Sequence, residues 1–120
     1  MTPEASERLR SICMGLPEVE ERLSHGEPSW FIGGGKMFVT YADHHHDDRT
    51  AFWCAAPDGM QRILVDADPG HFFIPPYVGG RGWIGLYLDG EVDWGEVQEV
   101  VLDAYLSVAP ARLSALVQSD

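Results

Sequence analysis

Near the start of the chain, apolar residues recur every three or four positions. Leu9, Ile12, Cys13 and Leu16 fall on one stripe of a helix. Thr2 suits the N-cap, Pro3 the first helical position, and Glu4 the positive end of the dipole. Gly15 and Pro17 are expected to end this helix. The next segment, "PEVEERLSHGEP", fits two descriptions. It is either a short helical turn from Pro17 or an extended stretch with Val19, Leu23 and His25 on one side.

From Ser29 the period shortens to two. "SWFI", three glycines and "KMFVTYA" predict a hairpin, with Met37, Val39 and Tyr41 on one face of its second arm. Lys36, Phe38 and Thr40 are expected on the other face. "TAFWCAA" supplies the third strand that a stable hairpin requires. Pro57 then opens a helix with Met60, Ile63, Leu64 and Ala67 along one side. "HFFIPP" is a short strand halted by prolines, and "RGWIGLYLDG" is a further strand. Asp93 and Glu96 form a capping box before a long helix striped by Trp94, Val97, Val101, Ala104, Tyr105 and Val108. Pro110 breaks it, and "ARLSALV" adds a last turn or two.

Helix, strands, helix, strands, helix is not the regular alternation of a parallel sheet. The order predicts a two-layer α+β fold: an antiparallel sheet of about five strands with helices on one face. At 120 residues, without repeat or linker, the chain reads as one domain over residues 1–120. No apolar run reaches the roughly 20 residues of a membrane span. "MTPEASERLR" lacks the apolar centre of a secretory signal, so a cytoplasmic protein is expected. Cys13 and Cys54 then read as buried, reduced thiols, with a disulfide as the alternative.

Charge changes the picture most. Eight basic residues stand against 19 acidic ones, a formal net charge of −11. Such a field repels phosphate backbones and anionic membranes, and no basic cluster offsets it. The acids are unevenly spread, however. Residues 28–42 and 69–88 contain none, and each stretch holds one positive charge, Lys36 and Arg81, beside glycines and aromatics. Glycines let a backbone approach a ligand, a guanidinium holds carboxylate or phosphate in two hydrogen bonds, and Trp30, Trp53 and Trp83 offer flat surfaces. Lys36, Arg81, Trp83, Trp30, His25 and Trp53 are therefore the candidate binding residues. Against this stand simpler roles: an edge-strand lysine that deters aggregation, core tryptophans, and a hydrogen-bonded histidine at position 25.

The run "ADHHHDD" at residues 42–48 raises a metal site. On an extended backbone His44, His46 and Asp48 share a face, but a third ligand would have to come from His25 or His71. A polar connection between strands, where Asp and His suit turns, explains the same residues. No GxSxG, Walker-type or spaced-glycine motif is present, and Ser24-His25 are neighbours in sequence without a defined base geometry. The chain therefore reads as non-enzymatic, with no cofactor.

Taken together, "SHGEPSWFIGGGKMFVTYA", "GGRGWIGLYLDG" and "DAYLSVAPARL" resemble the MmcQ/YjbR-like family of small bacterial proteins. The resemblance spans nearly the whole chain. His25, Gly26, Pro28, Lys36, Phe38, Arg81, Gly82, Trp83 and Tyr105 match its pattern. It implies a compact α+β fold similar to secretion-chaperone-like domains, and no settled activity. The likeness of the family's sheet and loops to a double-wing arrangement implies DNA binding as one alternative, which the acidity here opposes. The resemblance lends the histidine run no role. Three functions are carried forward: a binding module for a small anionic or planar ligand or a protein partner, as monomer or dimer; a DNA-binding protein; and a metal-binding protein through His44 and His46.

Overall fold

A computed structural model of the chain describes residues 3–43 and 49–118. The histidine run at 44–46 and the two aspartates after it lie outside the described residues. The elements run α1 (Pro3–Met14), β1 (Val19–Ser24), β2 (Glu27–Ile32), β3 (Met37–Asp43), β4 (Thr50–Cys54), α2 (Met60–Ala67), β5 (Phe72–Phe73), β6 (Ile84–Tyr87), α3 (Trp94–Val108) and α4 (Ala111–Gln118). The strands form one antiparallel sheet in the order β1-β2-β3-β4-β6-β5. This is the expected α+β class, with six strands where about five were anticipated.

The extra strand is β1, drawn from the segment whose pattern left helix and strand open. "VEERLS" has four exposed positions in a row because β1 is an edge with one neighbour. An edge strand need not alternate, and its charges blunt it against further pairing. His25 and Gly26, at φ 52° and 84°, make the two-residue turn into β2. Positive φ at both positions suits the twist of a tight hairpin.

The register separates the two faces of the sheet. Trp30 opposes Val39, Val39 opposes Cys54, and Cys54 opposes Ile84. This row lies against α1 and α3, and the helices seal it with Leu9, Cys13, Val97, Val101, Ala104 and Tyr105. The Tyr105 ring meets Phe38 edge-on at 5.6 Å, and its hydroxyl donates to the Pro17 carbonyl at 2.7 Å. Burying so large a set of apolar side chains is the main stabilising term.

Two expectations are corrected here. Phe38 does not alternate with Val39: Phe31 pairs with Met37 and Trp30 with Val39, so Phe38 is the extra residue of a bulge and joins the core, fully buried. The helix read from Pro57 starts at Met60, after Gly59 at φ 84°. Asp93, by contrast, caps α3 as expected, accepting from the N–H groups of Gly95 and Glu96 at 3.0 and 3.2 Å. Cys13 and Cys54 are free thiols, and burial pushes both well above the ordinary thiol range. Among the described residues no helix is long and apolar enough to cross a membrane.

Candidate functional site

The opposite face of the sheet carries Ser29, Thr40, Trp53 and Gly85 in one cross-strand row. Ser29 Oγ and Thr40 Oγ1 hydrogen-bond at 2.7 Å, which satisfies two buried hydroxyls. A Cβ on Gly85 would fall 2.2–2.5 Å from the Phe73 ring, so the glycine makes room for that ring. Phe73 in turn stacks on Tyr87 at 4.5 Å.

Residues 74–82 fold over this face rather than a helix. Gln61 anchors the segment, its Nε2 donating to the carbonyls of Gly79 and Trp83 at 2.8 and 2.7 Å. Gly79 is required because a Cβ there would meet Ile74 at 2.6 Å. Near the middle, the Val78 N–H donates to the Pro76 carbonyl at 2.6 Å across a three-residue turn with Tyr77 at φ 67°. A turn of that hand is rare and strained for a residue with a side chain. Tyr77 is nevertheless 79% exposed, so core packing does not explain it.

Between the 74–82 segment, the sheet and the β1–β2 turn lies a cavity of about 600 Å³. Trp53, Thr40 and Met37 form its floor, with Tyr77, Val78 and Arg81 on one side. Ser24, His25 and Glu27 close the other side, which Tyr41 also borders although the register puts its side chain on the Val39 and Phe52 face. The Arg81 guanidinium lies 5.1 Å from the Trp83 ring centroid and makes no ion pair among the described residues. Glu27 is half-buried, and its Oε2 accepts from the Asp43 N–H at 3.3 Å. Burial raises the Tyr41 phenol above its ordinary value, and the Asp43 and Glu27 carboxylates push it the same way. The phenol therefore stays a hydrogen-bond donor at neutral pH.

The six candidate residues do not all gather at this cavity. His25, Trp53 and Arg81 line it, and Trp83 is buried beside Arg81. Lys36 is exposed in the β2–β3 turn and does not line it, although its neighbour Met37 does. Trp30 is on the helix face, fully buried, with Nε1 donating to Glu21 at 3.1 Å. The strand register explains the division, since Trp30 opposes Val39 while Trp53 opposes Thr40, one residue on. Glu27, Tyr41 and Tyr77 were missed. Only the Pro-Pro-Tyr-Val-Gly-Gly run hinted at Tyr77, as a turn-rich segment beside Arg81.

A second cavity of about 590 Å³ adjoins the start of α3. Four of its nine lining residues are acidic: Asp68, Glu91, Asp93 and Glu96. Asp93 is committed to the helix cap, and Asp68 meets His71 Nδ1 at 2.8 Å. Among the described residues no group of three His, Cys, Asp or Glu side chains could hold a metal ion.

The YjbR family model matches residues 14–107. The chain belongs to the YjbR family. The match takes in the β1–β2 turn, the sheet, the 74–82 segment and most of α3. Among solved structures, this YjbR chain is similar to Deinococcus radiodurans protein DR2400, described as carrying a DUF419 domain. The two share 18% identity and superpose with a TM-score of 0.73 over 92% of this chain and 83% of the other. At that identity the likeness speaks for the fold alone. No curated protein matches the YjbR chain.

Proposed function

We propose that this YjbR protein is a binding module for a small planar ligand carrying an anionic group, received in the cavity on the helix-free face. The observation that carries the reading is the company Arg81 keeps. Its guanidinium, without an ion pair among the described residues, stands in a cavity of about 600 Å³ with Trp53 as floor and Tyr77 as lip. That volume suits a small molecule, and apolar walls with a few polar groups are the usual make-up of such sites. Four of the other six arginines meet a carboxylate: Arg10 with Glu21, Arg22 with Glu20, Arg49 with Asp89 and Arg112 with Glu18. Arg81 lines the cavity of about 600 Å³ with Trp53, and Arg8 lines one of about 510 Å³ with Glu7 beside it.

Titration calorimetry with 2-naphthoate, a flat aromatic carboxylate, tests the reading. Arg81→Ala should weaken binding by about tenfold or more, the worth of one charged hydrogen bond, with an unchanged melting temperature. Equal binding by wild type and Arg81→Ala would remove the anion site. Binding of duplex DNA, the alternative raised by the family resemblance, would instead fall steeply with added salt. It has to overcome a net charge of −11, with four of the eight basic residues paired with carboxylates.

A further inference from the structure

Across the cavity from Arg81, some polar side chains are already engaged by the protein itself. Thr40 is hydrogen-bonded to Ser29 at 2.7 Å, and Glu27 accepts from the Asp43 N–H at 3.3 Å. Ser24 and His25, adjacent in the chain, line the same side as Glu27. Ser24 opposes Glu27 in the β1–β2 ladder, and Glu27 is two residues from Ser29. The pleat therefore places all three on the face that bears Thr40 and Trp53. His25 follows Ser24 as the first residue of the turn, at φ 52°. Asparagine, aspartate or glycine is what such a turn itself favours, so the hairpin does not require an imidazole. Among the described residues neither the Ser24 hydroxyl nor the His25 ring has a hydrogen-bond or ion-pair partner.

From this pair we infer that the ligand is a hydroxylated aromatic acid: a flat body with its anionic group at Arg81 and a neutral hydroxyl facing Ser24 and His25. The inference rests on the cavity reading above and deepens it. A serine hydroxyl both donates and accepts, and an imidazole offers at least one N–H in either charge state. A ligand hydroxyl also does both, so it can donate to one of the two residues and accept from the other. A carboxylate at that end could only accept, and an ammonium could only donate. An apolar end would take the half-buried Ser24 out of water without replacing its hydrogen bonds, which costs free energy. Sites that hydrogen-bond a ligand hydroxyl reject the analogue lacking it for this reason.

The test compares two probes on the full chain by titration calorimetry. One is 6-hydroxy-2-naphthoate; the other is 6-methyl-2-naphthoate, the same two rings with a group of similar bulk that cannot hydrogen-bond. Each is titrated into wild type and into the double variant Ser24→Ala with His25→Gly. The double variant removes both polar groups and leaves Gly-Gly, still a favoured pair for the turn. The hydroxylated probe should bind wild type about tenfold tighter than the methylated one, the effect of one or two net hydrogen bonds, and the two should bind the double variant alike. Each single variant should lose part of the difference, and these carry the comparison should the double variant unfold. If the hydroxyl gains nothing over the methyl in wild type while Arg81→Ala weakens both probes, the inference fails and the anion site stands. If the gain survives in the double variant, the hydroxyl is held elsewhere and the inference again fails. If neither probe binds wild type, the cavity reading falls with it.

Discussion

The two faces of one sheet are built on different physics from the same strands. On the helix side Trp30, Phe38, Val39, Phe52, Cys54 and Ile84 are buried almost completely, and α1 and α3 fill the space between them. On the other side the cover is one short segment, 74–82, together with arginines laid over aromatic rings. Arg22 sits 3.9 Å from the Phe31 centroid, Arg49 3.4 Å from Tyr87 and Arg81 5.1 Å from Trp83. A helix seals a surface by volume, whereas a strap and a few guanidiniums cover it piecemeal and leave a cavity. Buried apolar volume is thus concentrated on the first face, and the cavity lined by Arg81 lies on the second.

The sharpest way to break that contrast is to empty the sealed face. Trp30→Ala removes a fully buried ring and should cost about 3–5 kcal/mol, a large part of a domain's stability. Urea unfolding would measure it. Arg81→Ala on the other face should leave the midpoint where it is. A loss under about 1 kcal/mol for Trp30→Ala would mean that the helix layer is not the stabilising one.

Gly85→Ala tests the open face by adding volume. The new methyl would overlap the Phe73 ring, which can yield only by leaving its stack on Tyr87. The expected cost is about 1–3 kcal/mol, as for overpacking generally, with a loss of aromatic near-ultraviolet circular dichroism. An unchanged spectrum at wild-type stability would show that Phe73 is free to swing away.

Much of this division was legible in the chain, and the reason it was not all legible is specific. Helix stripes and the Asp93 cap are local, so spacing alone found them. The bulge at Phe38 depends on how β2 and β3 pair, and no residue within β3 announces it. β1 was ambiguous because an edge strand with charged positions lacks the period-two pattern. For the site, Arg81, His25 and Trp53 stood out through their acid-free or glycine-rich neighbourhoods, and the fold brings them to one cavity. Trp30 looked the same in sequence, and only the register sends it to the opposite face. Glu27 and Tyr41 carried no signal, because their relevance comes from what folds over them.

A smaller effect probes how the open face satisfies its buried polar atoms. Ser29→Ala leaves Thr40 Oγ1 with only a long contact, 3.5 Å, to the Tyr41 carbonyl. About 1–3 kcal/mol should be lost. Adding Thr40→Val removes the stranded hydroxyl as well and should recover most of the loss. A double variant no more stable than Ser29→Ala would mean that the hydroxyl pair contributes attraction beyond mutual satisfaction.

The smallest effect lies in the acid limb of stability, where two arginine–carboxylate clamps can be compared. Arg49 meets Asp89 through two hydrogen bonds of 3.0 and 2.8 Å, and Arg112 meets Glu18 through two of 2.8 and 2.9 Å. Each arginine's hydrogen bond is the main reason its carboxyl is held below the ordinary value. A group depressed in the folded state contributes fully above its unfolded pKa, and that contribution is lost as pH falls through the folded one. The window therefore opens near the ordinary carboxylate value, about pH 4, and extends downward. The general repulsion within a chain of charge −11 eases over the same range with the opposite sign, so the useful quantity is a difference between variants. The melting temperature of Asp89→Asn should fall less steeply than that of wild type below about pH 4. Glu18→Gln should show a weaker version that disappears first in high salt, because that pair is the more exposed to solvent. Identical acid limbs for Asp89→Asn and wild type would mean that the Arg49–Asp89 pair adds nothing to stability.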